Sequence, residues 1–459
     1  MTDFLVANIA HGLTGDADGT RFSGALRVRA GRIAEIGDLA PEPGERVVDA
    51  GGCVVTPGLV NTHHHLFQSL LKGVPAALND GLDTWLQKVP YAFWPHLDDA
   101  TLRVSARVAL AELALSGATT CADHHYINDA GHEAEAGDAL FEEAARLGMR
   151  FVLARGGGTK GRDYFDDPTM PAPFREPLET FLERTARLAD RWHDPAGDAM
   201  RRVAVAPTTP TFNVEPDMLS EIAAFARARG LRLHSHLSEN RTYVDVTLAK
   251  YGKRPVHWLA EHDWLGADVW FAHLVELDDS EVALLAETGT AMAHCTQANA
   301  RLGSGIAPAD ALHAAGGCVS IGVDGAAANE AADMGAALYA AFAMHRATKG
   351  AAATRAETVL HWATEGGARA LGLPSTGRLA PGLAADIALF DLSAPRTFGL
   401  HDPALAPVLT GGAMVRHSFC AGRPVVVDGA LPGLDLAELG AAARAATDRL
   451  IARRAEALG

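Results

Sequence analysis

The stretch VNTHHHLFQ, Val60 to Gln68, places three consecutive histidines at the end of the apolar run CVVTPGLV. A β-strand sends alternate side chains to opposite faces, so a strand continuing through CVVTPGLVNTHHH puts His63 and His65 on one face and His64 on the other. Neutral imidazole is a common ligand for zinc and related ions, and two on a rigid strand need little further ordering to chelate one. An HxH pair can equally be packed or solvated, so further ligands must come from elsewhere in the chain.

Working outward, Val54 to Leu373 alternates short apolar or β-branched runs with longer amphipathic stretches, the pattern of a parallel sheet covered by helices. The candidate strands are VVTPGLVNTHHH, ATTCADHH, RFVLARGG, RRVAVAPTT, LRLHSHLSE, DVWFAHL, TAMAHCT and CVSIGVDG. Between them, stretches such as DATLRVSARVALAELALSG and EPDMLSEIAAFARARG read as helices stopping at glycine. Eight such units predict an α/β fold, a (β/α)8 TIM barrel over 57–375, with functional groups at the C-terminal ends of the strands. The flanking segments 1–56 and 376–430 carry short alternating runs with glycine turns. They are expected to pair into one small β-sandwich domain built from both termini. The tail 431–459 reads as a C-terminal helix.

Composition bounds the partners. The chain of 459 residues is 48% hydrophobic and 21% charged, ordinary for a globular protein with a sizeable core. Its net charge of −16 comes from 56 acidic against 40 basic residues, without a long basic cluster. That argues against a nucleic-acid or anionic-membrane partner and for a small molecule. The five cysteines, Cys53, Cys121, Cys295, Cys318 and Cys420, form no CxxC pair, so neither a disulfide framework nor a thiolate zinc site is expected. No stretch resembles a signal peptide or a membrane span, and a cytoplasmic location is expected.

The strand ends supply the missing ligands. The fifth candidate strand carries His234 and His236 on one face, with Glu239 three residues further on; the sixth ends at His273 and the eighth at Asp324. Three imidazoles and a carboxylate converging at one barrel end would bind a divalent cation and leave a position for water.

On the motifs PGLVNTHHH, HLSE, the sixth-strand histidine, VDG and the return GRLAPGLAADIALFD, nearly the whole chain resembles the amidohydrolase superfamily. The resemblance implies His63, His65, His236 and Asp324 as metal ligands, Glu239 as the acid that protonates the substrate, and His273 as the residue that positions water. His273 and Asp324 would orient or accept the proton. Binuclear members carry a carbamylated lysine on the fourth strand; RRVAVAPTT has none, so one metal ion is implied, zinc first and iron second. Members of this mononuclear type are mostly deaminases of aminated heterocycles. The motifs NTHHHLFQSLLKG, ADHHY, AHCTQANARLGSGIAP and SIGVDGAAANEAADM are most similar to the group acting on isoxanthopterin and 8-oxoguanine. A guanine-type deaminase and a triazine or cyclic-amide hydrolase of the same superfamily are the alternatives. Relatives of this kind are often homo-oligomers.

Gln68, in the spacing HxHxxQ, would read the lactam edge of an oxopurine or pterin, since a carboxamide offers an acceptor and two donors. Arg155, ending the third strand, is a second candidate substrate contact. CTQAN departs from the group's CPxSN, with Thr296 for proline and Ala298 for serine. GGGTKG, Gly156 to Gly161, matches GxGxxG, but no helix follows and it is expected to be a loop. His64, His124, His125 and Cys295 are expected to be structural, and the HxE with PCxxC signature of the other zinc deaminases is absent.

Overall fold

The computed structural model describes residues 3–128, 136–162 and 171–458. Eight parallel strands run in chain order: β1 (Leu59–Asn61), β2 (Ala118–His125), β3 (Arg150–Gly157), β4 (Arg201–Pro207), β5 (Arg232–Leu237), β6 (Val269–His273), β7 (Ala291–His294) and β8 (Val319–Ile321). Beyond the last strand, Thr62 N–H donates to Ile321 O (3.0 Å) and Asp324 N–H to His63 O (3.0 Å), which brings β8 back against β1 and closes the barrel. β2 and β3 are buried at every position, as a parallel sheet sheathed in helices requires. The helix Asp99–Leu115 shows how its sequence sets its ends. Asp98 and Thr101 form a reciprocal capping box, and Gly117, at φ +100°, takes the chain away into β2.

The first expected strand is in fact two. Cys53–Pro57 pairs antiparallel with Ile387–Asp391 in a second sheet, and only Leu59–Asn61 enters the barrel. Gly58 makes the transfer: a Cβ there would lie 2.2 Å from the Thr119 hydroxyl, so no larger residue passes. The three histidines therefore follow the strand rather than continue it.

The second sheet draws strands from both ends of the chain. Its order is Arg423–Val426, Val415–Cys420, Ile387–Asp391, Cys53–Pro57, Phe4–Leu13, Arg21–Arg29, Arg32–Gly37, with Val47–Asp49 beside Phe4–Leu13. It is hydrogen-bonded continuously yet curls into two layers. The Phe4 and Phe419 rings meet at 4.5 Å although two strands lie between theirs, and Ala385 N–H donates to Gly31 O (2.9 Å). The helix Leu436–Leu458 lies against Asp99–Leu115, tied by Arg453 to His96 O (2.9 Å) and Asp98 (2.7 Å). Among the described residues, no helix is long and apolar enough to cross a membrane.

Candidate active site and metal centre

At the C-terminal end of the barrel the backbone is bent to aim side chains inward. Ser238, His273, Leu274 and Asp324 all have positive φ (49°, 76°, 52° and 65°), a region that residues with a Cβ seldom enter. Such conformations cost about 1–3 kcal/mol each and persist where surrounding structure enforces them, characteristically at functional sites.

The hydrogen-bond pattern fixes which ring nitrogen of each histidine carries its proton. His65 Nδ1 faces His124 O (2.8 Å) and His236 Nδ1 faces Thr208 O (2.6 Å). A carbonyl can only accept, so both Nδ1 atoms are protonated and both Nε2 atoms carry lone pairs. Those two Nε2 atoms stand 3.1 Å apart. His63 follows the same logic through one more ring. His234 Nδ1–H donates to Trp270 O (2.9 Å), so His234 Nε2 accepts from His63 Nδ1–H (2.9 Å), and His63 Nε2 is left buried with no hydrogen-bond partner. Asp324 Oδ1 lies 3.2 Å from His65 Nε2 and 3.5 Å from His63 Nε2. Three imidazole lone pairs and a carboxylate crowd one point, and a divalent cation is what satisfies them together. His273 approaches as well: its ligating nitrogen and those of His63 and His236 lie within 4.8 Å of one another.

The electrostatics agree at His63, His236 and Asp324; at His65 burial lowers the ring but the adjacent Asp324 carboxylate outweighs it and raises it above the ordinary histidine value, so an ion bound there displaces a proton. Burial opposes the charged form of Asp324, but the His63 and His65 rings beside it prevail and hold its carboxyl well below the usual carboxylate range. Burial drives His63 down to about 3 and His236 well below the ordinary histidine value, so both are neutral and ready to ligate. Glu239 is shifted the other way: burial raises its carboxyl, only partly countered by His273. Glu239 Oε1 lies 3.7 Å from His273 Nε2, while His273 Nδ1–H donates to Asn299 Oδ1 (2.8 Å). Asn299 belongs to the CTQAN motif, whose asparagine keeps its place while the flanking residues depart from the group's pattern.

A small cavity of about 30 Å³ lies over the cluster, and His65, Gln68, His236, Glu239, His273 and Asp324 all reach it. Ligand pockets are usually about 300–1,000 Å³, so admitting a ring requires the aromatic wall of Trp85, Tyr91, Trp94 and Tyr126 to part. Gln68 Oε1 and the indole Nε1 atoms of Trp85 and Trp94 are buried without hydrogen-bond partners. That leaves one acceptor and two donors for an incoming molecule.

Arg155 requires a correction. Its guanidinium is held bidentately by Glu176 (2.6 and 2.8 Å), which also binds Arg184 (3.1 Å), and it does not line the cavity. The arginine that does is Arg162, packed over Phe212 at 4.8 Å and 3.8 Å from Asp83. It follows GGGTKG directly, and the described residues of that stretch form no helix; the segment beyond Arg162 lies outside the described residues. His64 turns away and accepts the His65 N–H (2.7 Å), and His125 meets Ile127 O (3.0 Å). His124 stacks on His236 at 4.7 Å, and its outer nitrogen donates to Ala206 O (2.9 Å).

The sequence profile of the amidohydrolase family matches residues 54–425, spanning the barrel and strands of the second sheet. The chain belongs to the amidohydrolase family. It is 48% identical to an isoxanthopterin deaminase of an unknown prokaryotic organism, over 97% of each chain. It is 40% identical to an 8-oxoguanine deaminase of Pseudomonas aeruginosa, over 95% of this chain and 97% of that one. The crystal structure of an atrazine chlorohydrolase from Arthrobacter aurescens TC1, complexed with zinc, superposes with a TM-score of 0.90 at 29% identity, covering 97% of this chain and 100% of that one. With these relatives and this donor set, the protein is a metal-dependent aminohydrolase.

Proposed function

We propose that the protein hydrolytically deaminates an aminated oxo-heterocycle, isoxanthopterin or a related pterin, releasing ammonia. The observation that carries this reading is the convergence of three lone-pair imidazoles and an ionised Asp324 beside a protonatable Glu239 at one cavity. His63, His65, His236 and Asp324 would hold the metal, a donor set that suits zinc. Such an ion lowers the pKa of a water from about 15.7 towards about 7 and so makes a nucleophile available at neutral pH.

The chain's own groups do the rest. Gln68 holds the lactam edge of the ring, while the Trp85 and Trp94 indole N–H groups and Arg162 meet its carbonyls. Glu239, whose carboxyl burial raises, donates to the ring nitrogen beside the amino-bearing carbon, where negative charge would otherwise build. Asp324, kept ionised, accepts a proton from the attacking water. His273, braced by Asn299, turns its free Nε2 towards that water. Asp324 passes the proton it took from water to the amino group, which leaves as ammonia, and the proton of the added hydroxyl returns to Glu239 as the ring carbonyl forms.

Identity with the isoxanthopterin deaminase favours the pterin, and identity with the 8-oxoguanine deaminase keeps that oxopurine as the second reading. Ammonia release from isoxanthopterin, pterin, 8-oxoguanine, guanine and a triazine, followed side by side, decides among them. The proposal expects isoxanthopterin to give the highest kcat/KM, and no ammonia from any of the five would refute it.

A further inference from the structure

A cavity of about 780 Å³ lies at the other end of the barrel, where the strands begin, under the edge of the second sheet. Arg232 opens β5, Val319 opens β8, and both line it, with Ala17 and Leu383 from the second sheet's loops. Its charge is opposite to the protein's. Three guanidiniums, Arg232, Arg369 and Arg378, line it with His313 and His361, against a single carboxylate, Glu365. The chain as a whole carries −16.

That carboxylate does not neutralise them. Glu365 lies 3.4 Å from Arg378 and 3.5 Å from His361, and it pairs with no other lining group. Arg369 is exposed and has no ion-pair partner among the described residues. Arg232 is the more telling case. It lies against Gly372, where a Cβ would approach its Nη1 to 2.7 Å; its Nη2 donates only to the Ala267 carbonyl, and its Nε is buried with no partner. Arg232 is half-buried and Asp268 acts on it only at a distance, so its unmet donors favour a bound anion. Beside it the chain makes one turn of π-helix, Trp362–Gly366, placing His361 and Glu365 on the cavity wall. π-Turns recur at functional sites.

We propose that this cavity binds a phosphate-bearing small molecule of about nucleotide size, its phosphate gripped by Arg232, Arg369 and Arg378. Guanidinium forks match phosphate oxygens in pairs, and three of them favour a doubly charged phosphate over a single carboxylate. The volume exceeds that of a bare ion, and Val319, Ala368 and Leu383 give an apolar wall for an organic body.

The test is calorimetric titration of the zinc-loaded full-length protein with GMP and with inorganic phosphate, at low and high salt, beside the variant Arg369→Ala/Arg378→Ala. Both substituted residues lie far from the catalytic cluster, so zinc content and basal deaminase rate are expected to match the parent. The expected result is one GMP site per chain, at least about tenfold tighter than inorganic phosphate, weakened by salt and weakened at least about tenfold in the variant. No binding of either probe, or equal GMP affinity in parent and variant, would overturn the proposal. Phosphate binding as tightly as GMP would overturn the organic ligand.

Discussion

Two pairs of buried histidines in this molecule have the same spacing and opposite chemistry. His65 and His236 face each other Nε2 to Nε2 at 3.1 Å over the barrel mouth, and His294 and His345 do the same at 3.1 Å between β7 and the helix Met334–Lys349. The difference lies in what the other nitrogens touch. Both Nδ1 atoms of the first pair are tied to carbonyls, which forces two lone pairs together. In the second pair His345 Nδ1 faces the Asp310 carboxylate at 3.4 Å, and His294 Nδ1 has no partner. His294 is then free to carry its proton on Nε2 and donate it to His345, so a hydrogen bond completes the pair. Distance alone does not make a metal site; tautomers fixed from outside do.

Breaking each pair should separate the two roles. His236→Ala is expected to drop metal content from about one ion per chain to near zero and to abolish turnover, because it removes one of the four donors that converge on the ion and leaves a void in its place. His294→Ala should leave metal content unchanged and cost about 1–3 kcal/mol of stability through a cavity and a stranded His345, measured by chemical denaturation. Metal loss in the second variant would show that the pairs are not independent. A subtler substitution, His234→Ala, removes only the ring that sets the His63 tautomer. It should weaken metal affinity about 10–100-fold, as the loss of an outer partner typically does, in a competition titration with a chelator.

The smallest effect concerns pH. Burial chiefly holds both His294 and His345 below the ordinary histidine value. Their folded pKa values lie under the unfolded one, so their contribution is fully present above about pH 6.5 and is lost as the pH falls and the unfolded chain takes up protons. The double variant His294→Leu/His345→Leu should therefore lose stability less steeply than the parent between about pH 6.5 and 5. An equal slope would contradict the assignment.

The same contrast explains what the sequence could and could not show. The barrel strands were legible because each is a short apolar run with a helix on either side. The positions of the clustered histidines and Asp324 were legible because HxH, HLSE and VDG sit at those strands' ends. The transfer between sheets at Pro57–Gly58 was not, since CVVTP and LVN are equally apolar and periodicity does not say which sheet a residue joins. Arg155 and Arg162 both follow the third strand; Glu176, 21 residues from Arg155, decides which is consumed. His234 was visible as half of an HSH pair, but its depth, and hence its role beneath His63, depends on Trp270 across the sheet. Asn299 stood in plain view in CTQAN, and only the fold brings it to His273.

Crystals of the metal-loaded protein, with anomalous scattering recorded on both sides of the zinc edge, test the central claim most directly. One peak is expected, about 2.0–2.2 Å from an imidazole nitrogen of each of His63, His65 and His236 and from an Asp324 oxygen. A peak between His294 and His345 instead, two peaks at the barrel mouth, or a single ion that leaves out any of those four side chains would contradict it.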